Sequence, residues 1–266
     1  MHFYSIASGS TGNCIYIGTE RDCVLIDAGI SCRRIESALQ RIGRTVRDLS
    51  AILVTHEHSD HISGLGVLMR KAHVPVYATE PTIRQILRYS PLGKVDTELL
   101  RPIEADLPFR IGEMKAEPFR ISHDAAQPVG YRIEAGGRAA AVATDMGCFS
   151  EYTVSHLRDL DVVLVEANHD ENMLEVGPYP YPVKRRILSD RGHLSNVSAG
   201  MLLSRILNDH MKTAYLGHLS RTNNYDALAY ATVTAQISQD RRNPFREGDI
   251  PILVARWDQP MDKLEV

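Results

Sequence analysis

The segment Thr55-His56-Glu57-His58-Ser59-Asp60-His61 stands directly after a wholly apolar tetrapeptide, Ala51-Ile52-Leu53-Val54, and directly before an apolar-periodic run. A short aliphatic run bounded by polar residues reads as a strand covered on both faces. The histidines therefore stand where a buried strand gives way to a helix. Side chains two apart on extended backbone project the same way, so His56 and His58 reach one ion, and the turn beyond swings Asp60 and His61 toward a second. Neutral imidazole and carboxylate suit zinc, manganese or iron. Three histidines and an acid in six residues is more ligand density than a solvated loop requires.

The rest of the chain reads as strands and helices in alternation. His2–Ala7, Cys14–Gly18 and 23–27 read as an opening meander, parted by Ser8-Gly9-Ser10-Thr11-Gly12-Asn13 and Thr19-Glu20-Arg21-Asp22. Ser31 reads as the N-cap of a helix reaching Ile42, with Ile35, Leu39 and Ile42 on its apolar face. Beyond the histidines the spacing predicts a helix over 62–72, a strand over 76–78 and a helix from Pro81. Strands are predicted at 98–101, 114–119, 131–134, 139–143 and 162–166, with a helix between the last two. The final third reads as helix 196–207, strand 213–217, helix 224–237 and strand 250–255. Such halves predict an α/β fold with two sheets face to face and helices outside, a four-layer αβ/βα sandwich. The run Gly177-Pro178-Tyr179-Pro180-Tyr181-Pro182-Val183-Lys184-Arg185-Arg186 is too proline-dense for a central strand and reads as a stiff connection.

Composition bounds the rest. With 266 residues, 44% of them hydrophobic, the chain can bury a full core, and a single domain over 1–266 is expected. No run approaches the ~20 apolar residues of a membrane span, and the start lacks the basic-then-apolar layout of a signal peptide, so a soluble cytoplasmic protein is expected. Cys14, Cys23, Cys32 and Cys148 are irregularly spaced with no Cys-x-x-Cys pair, which reads as reduced, mostly buried thiols. A net charge of -3 gives no global attraction for nucleic acid, so local basic patches must hold any such partner.

The histidine motif and three later residues together resemble the signature of the metallo-β-lactamase superfamily. The later residues are His123 in Ile121-Ser122-His123-Asp124, Asp145 in Ala143-Thr144-Asp145-Met146-Gly147 and His218 in Leu216-Gly217-His218-Leu219-Ser220, each beyond a predicted strand. The resemblance spans nearly the whole chain. It implies two divalent metal ions, zinc or manganese: His56, His58 and His123 on the first, Asp60, His61 and His218 on the second, and Asp145 bridging them. Such ions lower the pKa of a shared water to give a hydroxide nucleophile, which Asp60 is placed to orient. His2, His73, His156, His169 and His210 fit no such pattern and read as structural or surface residues.

That chemistry serves phosphodiesters, thioesters, lactones and lactams alike. Common zinc β-lactamases carry cysteine where Asp145 stands, and flavodiiron proteins carry glutamate where His58 stands. The 73-position spacing from Asp145 to His218 leaves no room for the inserted domain of ribonuclease J-like nucleases. Val165-Glu166-Ala167-Asn168 and Arg191-Gly192-His193-Leu194-Ser195 are similar to catalytic segments of tRNase Z. That similarity implies that Glu166 orients His193, which protonates the leaving oxygen or stabilises the transition state.

The whole pattern most resembles the YycJ (WalJ) branch of the superfamily. The resemblance rests on Ser8-Gly9-Ser10-Thr11-Gly12-Asn13, Glu166-Ala167-Asn168, the tyrosine–proline run, Ser189-Asp190-Arg191-Gly192-His193-Leu194-Ser195-Asn196, and His218-Leu219-Ser220-Arg221 with Asn223-Asn224. It implies a bacterial DNA exonuclease working 5′ to 3′ in DNA repair. Tyr179 and Tyr181 are candidates to stack bases, with Lys184, Arg185, Arg186, Arg191 and Arg221 as candidate phosphate contacts. The Ser8 to Asn13 loop is a candidate phosphate cradle, although it lacks the ending of a nucleotide P-loop. A glyoxalase II-like thioesterase or another small-molecule metallohydrolase is the alternative, since it shares the ligand pattern.

Overall fold

The computed structural model describes residues 1–241 and 243–266, and the chain divides into two compact units. The first comprises Met1–Arg120, Ala125–Arg138 and Arg256–Val266; the second comprises Ile121–Asp124 and Ala139–Ala255.

In the first unit the elements run β1 (His2–Ala7), β2 (Cys14–Gly18), β3 (Cys23–Ile26), α1 (Cys32–Arg41), β4 (Ala51–Leu53), α2 (Ser59–Ile62), α3 (Leu65–Ala72), β5 (Val76–Thr79), α4 (Glu80–Arg88), β6 (Leu100–Ile103), β7 (Phe109–Ile111), β8 (Met114–Arg120) and β9 (Val129–Ala135). β1, β2 and β3 form the expected antiparallel meander, with a terminal strand, Leu264–Glu265, along β1. From β3 onward β4, β5 and β6 add in parallel, because each connection is a helical crossover. β2, β3 and β4 are buried throughout, as their unbroken apolar runs predict. Ile35 and Leu39 of α1 join Tyr16, Leu25, Ile52 and Leu68 in one apolar cluster. Each such side chain contributes about 1.5–3 kcal/mol. The Ser31 hydroxyl accepts from the Arg34 N–H and starts α1 as predicted.

The helix expected over 62–72 begins at Leu65 as α3, and Ile62 instead closes the separate turn α2. Gly64 donates its N–H to the Ala28 carbonyl at 2.8 Å, and a Cβ at Gly64 would lie 1.9 Å from the Ile30 carbonyl oxygen. That close backbone approach ends α2 after one turn, the turn that carries Asp60 and His61. The strand expected at 98–101 begins later, after a 3-10 turn over Thr97–Leu99, and β7 was not expected.

The second unit runs β10 (Arg138–Ala143), α5 (Glu151–His156), β11 (Val162–Glu166), α6 (Glu171–Val176), α7 (Tyr181–Ile187), α8 (Asn196–Ile206), β12 (Thr213–Gly217), α9 (Asp226–Gln239) and β13 (Ile252–Val254). β10 through β13 pair in parallel in chain order. Functional groups of parallel sheets gather beyond the carboxyl ends of the strands. Asp145 follows β10, Glu166 closes β11 and His218 follows β12. The stretch expected to be a stiff connection folds instead into α7, with Pro180 as its N-cap and Pro182 in its first turn. Proline is tolerated there because first-turn N–H groups have no intrahelical acceptor.

Among the described residues no helix is long and apolar enough to cross a membrane. All four cysteines are free thiols; Cys14, Cys23 and Cys32 are buried and Cys148 is exposed.

Candidate functional site

In the first unit β4 delivers Thr55 and His56, His58 caps α2, and Asp60 and His61 lie in its single turn. The His56 ring centroid lies 4.6 Å from that of His58 and 4.1 Å from that of His61, and His61 Nε2 is 3.4 Å from Asp60 Oδ2. All four motif residues predicted as ligands are thus gathered.

Their organiser is Asp27, a buried acid at the end of β3 with φ of 63°. One Asp27 oxygen accepts from the Thr55 N–H at 2.8 Å; the other accepts from the Thr55 hydroxyl at 2.8 Å and from His61 Nδ1 at 2.7 Å. Since the Thr55 proton goes to Asp27, His56 Nδ1, 3.0 Å from the same hydroxyl, is the donor there. Both rings therefore commit Nδ1 to the Asp27–Thr55 network, which fixes their orientation. The backbone is held as well: the Tyr131 hydroxyl donates to the Val54 carbonyl, and the Val129 N–H donates to that of Thr55.

The Ser8 to Asn13 loop meets the same motif. The Asn13 amide nitrogen lies 3.1 Å from His61 Nε2 and 3.4 Å from Asp60 Oδ2, and its backbone N–H donates to the Asp60 carbonyl at 2.8 Å. Ser8 donates its N–H to the Arg256 carbonyl.

The second unit gathers the other predicted residues around Asp145, which is buried with φ of 61°. Its Oδ1 lies 3.7 Å from His123 Nε2, 3.4 Å from His218 Nε2 and 3.6 Å from His193 Nδ1. His123 donates Nδ1–H to the Gly192 carbonyl at 3.0 Å, and His218 donates Nδ1–H to Glu166 Oε1 at 2.9 Å. His193 donates Nδ1–H to that same oxygen at 2.7 Å, while Glu166 Oε2 accepts from the Met146 and Leu194 N–H groups. Asp145, Glu166, His193 and His218 offer ligand atoms within 4.8 Å of one another.

Burial alone would raise the Glu166 pKa, but the charge and hydrogen bond of His193, with the bond from His218, hold it well below the usual carboxylate range. Burial likewise disfavours charge on His193, and the Glu166 carboxylate overrides it, raising the imidazole above its ordinary value.

This donor set fits divalent metal. His61, His123 and His218 each anchor Nδ1 on a carboxylate or carbonyl and turn Nε2 toward an aspartate, the support that orients metal-bound imidazoles. Two of the residues involved, Asp145 and His218, hold left-handed backbone at φ of 61° and 56°. Such strain is maintained where a side chain must point one way.

The predicted substrate contacts separate into two groups. Arg186 forms a bidentate ion pair with Asp124, and Arg191 donates to the His123 carbonyl from Nε and Nη2, both at 3.2 Å. With the Ser122 hydroxyl donating to the Asp190 carbonyl at 2.6 Å, they brace the His123 segment. Lys184 donates to the Glu175 carbonyl at 2.6 Å. Tyr179 is half-buried, whereas Tyr181, Arg185 and Arg221 are exposed.

His169, expected to be structural or surface, is 1% exposed, and neither ring nitrogen has a hydrogen-bond partner among the described residues. Burial holds its pKa down to about 4. An unfolded histidine titrates near 6.5, so between those values the unfolded chain binds the extra proton and stability falls as the pH drops. Urea unfolding from pH 7 to 4.5 is expected to show this loss, about 3 kcal/mol at most by the linkage relation, and His169→Leu is expected to reduce it. Equal pH slopes for both proteins would remove His169 as the cause.

Parallel strands that end in clustered histidines and acids define a metal-dependent hydrolase. The Beta-lactamase superfamily domain matches residues 23–219, and the chain belongs to the metallo-β-lactamase superfamily. Within it the chain stands in the YycJ (WalJ) branch. It is 43% identical over 237 residues to the protein named Exodeoxyribonuclease WalJ of Streptococcus pneumoniae, covering 89% of this chain and 88% of that one. It is 39% identical over 239 residues to Exodeoxyribonuclease YycJ of Bacillus anthracis, covering 90% of each. The structure of Zn(2+)-bound PqqB from Methylobacterium extorquens superposes with a TM-score of 0.71 at 16% identity, over 98% of this chain and all of that one. That likeness shows the fold, an α/β sandwich. With this fold and its histidine and aspartate clusters, the chain binds divalent metal.

Proposed function

We propose that this chain is a two-metal phosphodiesterase acting as a DNA exonuclease, working 5′ to 3′ in the cytoplasm and serving DNA repair. The ligand assignment is the one the resemblance implies: His56, His58 and His123 for one ion, Asp60, His61 and His218 for the other, and Asp145 shared, with zinc or manganese as the metal. When bound, the metals supply an activated water and neutralise charge on the phosphate under attack. Asp60, 22% exposed at its side chain, orients that water.

The observation that carries the choice of phosphodiester is the bond from His193 to Glu166. With Nδ1–H committed to the Glu166 carboxylate, which favours the imidazolium, His193 can carry on Nε2 the proton that a leaving oxygen takes up. Its side chain is 12% exposed, so a substrate can reach it. A sugar hydroxyl is a far weaker acid than a thiol, so a departing alkoxide needs that proton, whereas a thioester's thiolate leaves without it. The dyad therefore favours a nuclease over a glyoxalase II-like thioesterase. The names of the two relatives point to the same class.

The test is incubation with 5′-labelled DNA and, separately, with a thioester, in zinc or manganese and in EDTA. Metal-dependent release of short 5′ products is expected. Inert DNA beside rapid thioester turnover would sink the proposal.

A further inference from the structure

Positions 31–47 carry five arginines, Arg33, Arg34, Arg41, Arg44 and Arg47, against one acid, Glu36, in a chain whose net charge is -3. Glu36 is already paired with Lys71. Arg34 donates to the Trp257 carbonyl and Arg44 to the carbonyls of Thr19 and Glu20, so both are committed to the fold. Arg33, Arg41 and Arg47 are exposed, and among the described residues none of these three guanidiniums has a hydrogen-bond or ion-pair partner. Arg33 and Arg41 stand on the side of α1 opposite the buried Ile35 and Leu39, and Arg47 follows in the 3-10 turn Val46–Asp48. None of the large hydrophobic side chains that the described residues expose falls within 31–47. This face therefore offers charge and N–H donors and nothing to bury, which suits a polyanion and not an apolar protein partner or acyl chains.

The direction of α1 ties that face to the metal cluster. β3 and β4 are parallel neighbours, so α1, which joins the end of the first to the start of the second, must run back along them. Its start lies at the edge where Asp60 and His61 stand: the Ala28 N–H donates to the His61 carbonyl at 2.9 Å, and the Ser63 hydroxyl donates to the Gly29 carbonyl at 2.8 Å. Arg33, in the first turn, is the nearest of the three cations to that edge, and Arg41 lies ~12 Å farther along the helix axis.

We propose that the outer face of α1 is a track for the phosphate backbone of DNA, leading away from the metal cluster. The inference rests on the nuclease reading and adds where the uncut part of the substrate is held. A guanidinium matches phosphate with its planar fork of donors, and every cation of the stretch is an arginine. Phosphates recur about every 3.4 Å of axis along each strand, so a backbone laid along α1 brings one within reach of each free arginine in any register. Such contacts carry no sequence information, as an exonuclease that meets every sequence in turn requires.

The experiment is fluorescence anisotropy of the metal-loaded protein with a labelled, cleavage-resistant phosphorothioate duplex of about 24 base pairs, ~80 Å long, repeated over a range of sodium chloride concentrations. Each phosphate contact contributes about 0.9 to the slope of log affinity against log salt. Arg33→Gln combined with Arg41→Gln is expected to reduce that slope by about 1.8, and the further change Arg47→Gln by about 0.9 more. Arg110→Gln removes the same charge from an exposed arginine of β7 and is expected to leave the slope unchanged. Because these side chains stand in solvent, the folding of each variant is checked by an unchanged circular dichroism melt. A wild-type slope in the double variant overturns the track. So does a reduction per charge by Arg110→Gln equal to that of the α1 arginines, which would mean diffuse attraction and no contact. Tighter binding to anionic lipid vesicles than to the duplex overturns it in favour of a membrane surface. Failure of the wild type to hydrolyse any phosphodiester, with the slope effect intact, overturns the nuclease reading and leaves the track standing.

Discussion

Asp145→Ala is expected to lower DNA cleavage by roughly a thousandfold, the scale of several kcal/mol of lost transition-state charge stabilisation, and to lower bound metal with it. The reason is the position of one oxygen: Asp145 Oδ1 faces the Nε2 atoms of both His123 and His218 within 3.7 Å. Those imidazoles have spent their other nitrogens on Gly192 and Glu166, so they cannot rotate to find a replacement acid. The carboxylate itself is fixed by a left-handed backbone that the end of β10 imposes. Asparagine keeps the shape and loses the charge, so Asp145→Asn is expected to fail almost as completely. Metal content by plasma mass spectrometry and product release from 5′-labelled DNA measure the two effects together. Full metal occupancy with undiminished cleavage would remove Asp145 from the centre.

Much of this was legible in the sequence because the same grammar recurs: an apolar strand ends, and an acid or histidine follows. His56 stands out that way, Asp145 and His218 lie beyond predicted strands where the superfamily resemblance places them, Glu166 rests on the tRNase Z-like segment, and β1, β2, β11 and β12 fall on the residues their apolar runs predict. Asp27 follows the same grammar after Val24-Leu25-Ile26 and was passed over, because it stands outside the histidine motif and its role is to hold Thr55 and His61. The break between α2 and α3 was hidden for a different reason. An apolar period continues across Gly64, and only the close carbonyl of Ile30 demands a residue without a side chain there. Proline density concealed α7, since the residue that forbids a helix interior is at home in its first turn. Charge counting could not separate Arg186 and Arg191 from Arg185, because pairing to Asp124 and to the His123 carbonyl depends on tertiary neighbours 62 and 68 positions away.

His193→Ala is expected to reduce DNA cleavage by about 10²–10⁴-fold, the usual contribution of a positioned proton donor, while leaving metal content near that of the wild type. The distinguishing measurement is a change of leaving group. With a p-nitrophenyl phosphodiester the departing phenolate needs no proton, so the same variant is expected to lose less than tenfold. Glu166→Gln is expected to follow it on DNA, because an amide cannot hold the imidazolium that a carboxylate stabilises. The glutamine would also meet His193, His218, Met146 and Leu194 with one acceptor oxygen where two now serve. An equal loss on both substrates would mean that His193 acts on the site's shape and not on the leaving oxygen. A loss confined to DNA assigns the proton to it, since the two substrates share the attacked phosphorus and differ in what must depart.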